Sequence, residues 1–182
     1  MKKFIPVIIA AVVIAGAAGA YILTKKDNAL VENSDPLTSQ KKAASAKVVD
    51  ACTLLTQADA DAVLGSGATK GEKTKDTSTD DINVSTCTYT QASNFKAATI
   101  LARSAKTSAG TDSNKAMFSS QLPASVQKID GIGDSAYWDP TYGQLNILKN
   151  NNWYIVSVGG LKPTDKTLSE TRVLADRVLS RM

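Results

Sequence analysis

Two cysteines offer the most chemistry in this chain, and their spacing decides which kind. Cys52 and Cys87 stand 35 positions apart. No Cys-x-x-Cys context lowers a thiol pKa, which argues against a redox-active pair. In an oxidising compartment the simplest reading is a structural disulfide. It would close a loop of about 36 residues and stabilise the fold by roughly 3–4 kcal/mol in the chain-entropy model. Histidine is absent. That removes the usual general base, the Ser-His-Asp and Cys-His arrangements and the commonest metal ligand. Two thiols cannot build a four-thiolate zinc site. The expectation is a domain without catalytic residues, cofactor or metal.

The other candidates are aromatic and acidic. Asp134 follows Gly131-Ile132-Gly133 and precedes Tyr137 and Trp138. It reads as an Asx-type turn stabiliser, with a cleft role as the sharper alternative. The Gly-x-Gly is no dinucleotide fingerprint, because no helix follows and the third glycine is missing. Asp134, Tyr137, Trp138, Tyr142 and Trp153 together form the candidate binding surface. Trp153 and Tyr154 are neighbours in a strand and point to opposite faces; core or hairpin packing is expected for them, with one exposed on a binding surface as the alternative. Asp80 and Asp81 read as solvated loop carboxylates. Lys166, Arg172, Arg177 and Arg181 read as a solvated helix face.

The segment 4–23, FIPVIIAAVVIAGAAGAYIL, is 20 residues without a charge. As a helix it would reach about 30 Å, the thickness of a bilayer core. Lys2 and Lys3 precede it; Lys25 and Lys26 follow. It reads as a membrane anchor with Tyr21 at the interface. The alternative is a signal cleaved after Ala20 at Ala18-Gly19-Ala20, giving a secreted or periplasmic chain. The short N-terminal tail and the cysteine pair place the C-terminal domain outside the bacterial cytoplasmic membrane. The net charge of +4 is concentrated here: setting aside these four lysines and Asp27 leaves 17 cationic and 16 anionic side chains. A nucleic-acid partner is therefore not expected.

The chain divides into the anchor, 1–26, a polar linker, 27–46, and one extracytoplasmic domain, 47–182. Thr56 and Asp59 predict a capped helix over 57–64, stopped by Gly65. A polar loop covers 66–81, with a weak edge strand within it as the alternative. Alternation predicts strands at 82–91 and 97–104, forming an antiparallel hairpin. Thr111 or Asp112 is expected to cap a helix carrying Ala116, Met117 and Leu122 that ends before Pro123. Three strands follow, opening at 135–138, then 144–149 and 153–158, with Asn150 to Asn152 making the last turn. Thr167 and Glu170 predict a capping box on a final helix, with Leu168, Leu174, Ala175, Val178 and Met182 on one face and Thr171 interrupting it. The expected fold is α+β, order α-β-β-α-β-β-β-α, an antiparallel sheet of about five strands with helices packed on one face.

The runs CTLLTQADADAVLG, CTY and GIGDSAYW resemble a family of small exported actinobacterial lipoproteins of unknown function. In that family a cysteine precedes a Leu-Leu-Thr helix, a second cysteine precedes an aromatic, and a Gly-x-Gly-Asp-x-Ala-aromatic turn follows. The resemblance covers 51–182 and implies an exported domain similar to the PsbP-like fold. It implies no catalytic residues. The chain departs from the family in having no lipid-attachment cysteine. The function expected is that of a membrane-anchored envelope protein acting as a binding or accessory module for a protein partner or small ligand. The alternatives are an envelope hydrolase or transferase using carboxylate or Ser/Lys chemistry, and a structural assembly subunit.

Overall fold

The computed structural model describes residues 48–71, 77–120, 122 and 126–182. The apolar segment 4–23, the linker 27–46 and Pro123 lie outside the described residues. Among those described, no helix is long and apolar enough to cross a membrane.

The chain first forms a four-residue helix, α1 (Ala51–Leu54), whose N-cap Asp50 accepts from the Cys52 amide. Helix α2 (Gln57–Leu64) begins at Thr56, where Thr56 and Asp59 exchange both bonds of a capping box, and it ends at Gly65 with φ 94°. That cap satisfies donors which the first helical turn leaves orphaned. The polar stretch expected as loop contributes two short edge strands, β1 (Thr69–Lys70) and β2 (Thr77–Ser78). Strands β3 (Ile82–Gln91) and β4 (Lys96–Ala105) form the long hairpin.

Helix α3 (Ser108–Ser120) starts earlier than expected. Thr107, not Thr111 or Asp112, accepts from an N-terminal amide, that of Gly110. Its buried positions are Gly110, Asn114 and Phe118, a four-residue spacing that leaves Met117 at the surface, while Leu122 is exposed beyond the end of the helix. Strands β5 (Gln127–Lys128), β6 (Ser135–Asp139), β7 (Gln144–Lys149) and β8 (Asn152–Gly159) complete the sheet. Asn150 and Asn151 adopt φ 52° and 66° in the β7–β8 turn, the left-handed pair that a two-residue hairpin requires. Helix α4 (Leu168–Val178) closes the chain. Its cap is half of the expected box. Thr167 accepts from the Glu170 amide, while the Glu170 carboxylate reaches Lys96 instead.

All strands pair antiparallel in the order β1-β3-β4-β8-β7-β6-β5, and β2 shares the outer edge of β3 with β1. The five longer strands correspond to those expected; the three two-residue strands have too little pattern to be read in sequence. One face carries α1, α2 and α4 over the main core, which includes Leu54, Ile100, Leu145, Tyr154, Val156 and Leu174. Thr171 is fully buried there because the Val158 amide donates to its hydroxyl at 3.1 Å. The polar interruption of α4 thus satisfies a strand amide that would otherwise be buried unpaired.

Helix α3 lies on the opposite face, which corrects the expectation of helices on one side only. Phe118 packs with Tyr137 and Trp153 in a second, smaller core. The Cys52–Cys87 disulfide is formed and ties α1 to β3. Ser85, on the same side of β3, accepts from the Ala51 amide and donates to the Val49 carbonyl.

Candidate binding surface

The five aromatic and acidic candidates do not share one surface. Tyr137 and Trp153 are only 2% and 4% exposed and lie beneath α3. The Tyr137 ring sits 4.9 Å from that of Phe118, at 56°. The Trp153 Nε1 donates to Asn146 Oδ1 at 3.1 Å. Trp138 faces the other way, into the main core. Tyr154 is buried as well, so the expected core packing holds for both and the alternative of an exposed Trp153 or Tyr154 does not. With helices on both faces, opposite orientations in a strand both lead inward.

Asp134 remains at the surface, and its side chain ties this turn to the distant β7–β8 turn in place of the expected Asx turn. Its Oδ2 accepts from the Asn150 amide at 3.0 Å, and its own amide donates to the Leu148 carbonyl at 2.7 Å. Asp81 is held locally, accepting from the Thr107 hydroxyl. Arg181 is not part of a solvated face. Its Nε donates to the Leu54 carbonyl at 2.8 Å, and its guanidinium pairs with buried Asp59.

Burial governs the phenols. The Tyr137 hydroxyl is buried with no hydrogen-bond partner, and its pKa is pushed up to about 12, first by loss of water and then by nearby Asp139. Tyr154 is also raised by burial, opposed by its bond from Asn152.

A different surface emerges at one end of the sheet. The three most exposed large apolar side chains among the described residues are Leu161 at 91%, Phe95 at 79% and Tyr142 at 61%. Phe95 is in the β3–β4 hairpin, Tyr142 in the β6–β7 turn and Leu161 just after β8. The pairings Ala97 with Gly159 and Asp139 with Gln144 bring these three loops to the same end. Phe95 and Leu161 line a shared groove of about 200 Å³ with Thr90, Gln91 and Ala97. The Tyr142 turn abuts the segment after Leu161 so closely that a Cβ on Gly143 would stand 2.7 Å from Lys166 Cβ. Lys96, Lys162 and Lys166 lie around the three.

The local structure that presents Phe95 is rigid. Gln91 Nε2 donates to the Ser66 carbonyl at 2.7 Å and Asn94 Nδ2 to the Leu64 carbonyl at 2.9 Å. Both pin the hairpin to the end of α2. Phe95 is thereby held at φ 55°, a conformation that costs a non-glycine residue on the order of 1 kcal/mol. Sequence reasoning found Tyr142 but missed Phe95 and Leu161. The available signal was a large apolar residue within each of two turn-forming stretches, QASNF and GGLKP.

Comparison with protein-family models, with curated proteins and with solved structures returns no match to this chain.

Proposed function

We propose that this chain is a membrane-anchored protein of the bacterial envelope whose C-terminal domain is a non-enzymatic binding module. Segment 4–23 would hold it in the cytoplasmic membrane, and the domain would engage a protein partner through Phe95, Tyr142 and Leu161. The observation that carries the reading is the gathering of these three exposed side chains at one end of the sheet. Apolar anchors ringed by charged side chains are the usual anatomy of a binding hot spot.

Their position favours a protein over the lipid of the anchoring membrane. The linker joins the domain at Val49, whose amide donates to Ser104 near the far end of β4. Ten residues of strand separate that end from Phe95, about 30 Å. The apolar end therefore lies at the other end of β4 from Val49. The lineage suggested by the CTLLT and GIGDSAYW motifs, small exported lipoproteins, agrees with an extracytoplasmic module.

The test is site-specific photo-crosslinking in the native host, with the photoreactive residue at position 95, 161 or 173. Val173 is a control, half-exposed on α4 away from this end. Positions 95 and 161 should give the same discrete protein adduct, and position 173 should not. The Phe95→Ser, Leu161→Ser double variant should lose the adduct while its stability changes by no more than about 0.5 kcal/mol, as for surface sites generally. Failure of both positions to capture a common protein, with the chain present in the membrane fraction, would overturn the binding-module reading. Recovery of a soluble chain beginning at Tyr21 would overturn the anchor.

A further inference from the structure

On the face opposite the main core, α3 and the β2–β3 edge enclose a groove of about 280 Å³, lined by Thr77, Thr79, Asp81, Val84, Arg103 and Ser113 among others. Arg103 projects from β4 between Val84 and Trp153. Its Nε donates to Asn114 Oδ1 at 2.8 Å and its Nη2 to Ser113 Oγ at 2.9 Å. Asn114 is itself fully buried and immobilised, donating to the carbonyls of Arg103 and Asn151 at 3.1 and 2.9 Å. The guanidinium plane is thus fixed by two of its five N–H donors, and three remain free to serve a ligand.

Among the described residues no carboxylate stands within ion-pair distance of Arg103. Burial lowers its pKa, so the cation already lacks part of its water. The one acid lining the groove, Asp81, accepts from the Thr107 hydroxyl. A second cation borders the same wall, where Lys106 Nζ donates to the Thr79 carbonyl at 2.6 Å. The remaining polar lining consists of the hydroxyls of Thr77, Thr79 and Ser113. A preoriented guanidinium fork matches carboxylate and phosphate alike, and the Thr77 and Ser113 hydroxyls beside it add donors for the further oxygens of a tetrahedral oxyanion.

We infer that this groove is a binding site for a phosphoryl group, with Arg103 as its recognition residue and Thr77 and Ser113 as flanking donors; the Thr79 hydroxyl is already engaged by the Ile82 carbonyl and amide. The site is independent of the Phe95–Tyr142–Leu161 end, lying on α3 and the opposite sheet edge. Its volume admits a phosphate or the head of a phosphomonoester.

The test is a titration of the full chain in maltoside micelles at constant ionic strength, followed by the NMR signals of the Arg103 Nε–H and the Ser113 and Thr79 amides. Inorganic phosphate should give a saturable shift at all three, and chloride should give none. Glycerol 3-phosphate distinguishes the sources: tighter binding than phosphate indicates an esterified head group, and weaker binding indicates the free ion. The Arg103→Lys variant keeps the charge but loses the fork, and its affinity should fall at least tenfold. The Thr77→Val variant alters only an exposed wall residue, so it keeps the test open if Arg103→Lys unfolds; a loss of severalfold is expected. An equal response to acetate, an unsaturable response to phosphate, or affinity unchanged in both variants would overturn the assignment.

Discussion

Replacing Tyr137 by Phe removes one oxygen atom and leaves the ring packed against Phe118. In the native state that oxygen is buried and has no partner, whereas in the unfolded chain it bonds to water. An unsatisfied buried polar group costs about 1–3 kcal/mol. Some of that is offset by the small void left behind, so Tyr137→Phe should be about 1 kcal/mol more stable than the parent at pH 8. The difference should grow with alkalinity. Burial holds the phenol protonated up to about pH 12, while an unfolded tyrosine ionises near 10. Between these values the native state binds more protons than the unfolded chain. Stability is therefore lost as pH rises through this window. At pH 11 the loss is on the order of 1 kcal/mol, and Tyr137→Phe escapes it. The raised pKa of Tyr154 acts equally on both proteins and cancels in the difference. Urea unfolding in maltoside micelles at pH 8 and pH 11, followed by the fluorescence of buried Trp138 and Trp153, measures both effects. A variant less stable than the parent at pH 8, or a gap that fails to widen at pH 11, would refute the reasoning.

The Cys52→Ala, Cys87→Ala double variant should lose about 4 kcal/mol, the chain entropy released by opening a 35-residue separation; urea titration gives the value. Before reduction, alkylation should leave the intact mass of the parent unchanged. Gly110→Ala should destabilise by at least about 2 kcal/mol, seen as a lowered Tm, although alanine favours a helix by about 1 kcal/mol. The new Cβ would stand 2.2 Å from the Asp81 carbonyl oxygen, and backbone on both sides resists the required shift. An unchanged Tm would show that α3 is not seated so closely on β3.

Much of the fold was readable from local signals. The Thr56–Asp59 box, Gly65, the Asn150–Asn151 turn and the alternation through 82–91 act over a few residues, so their sequence alone fixes the geometry. The disulfide was readable because two cysteines leave one pairing. The side of the sheet taken by α3 was not readable. It depends on Gly110 allowing close approach to Asp81 and on Asn114 bridging Arg103 to Asn151, contacts between segments distant in the chain. The candidate site was hidden for the same reason. Tyr137, Trp138 and Trp153 have the residue types of a binding surface, but two helical layers bury them. Phe95 and Leu161 are 66 residues apart in the numbering, and only the antiparallel register of β4 with β8 makes them neighbours. Residue type and spacing determined which elements form and how they are capped. Long-range packing decided which side chains water can reach, because exposure depends on what the rest of the chain places over each face.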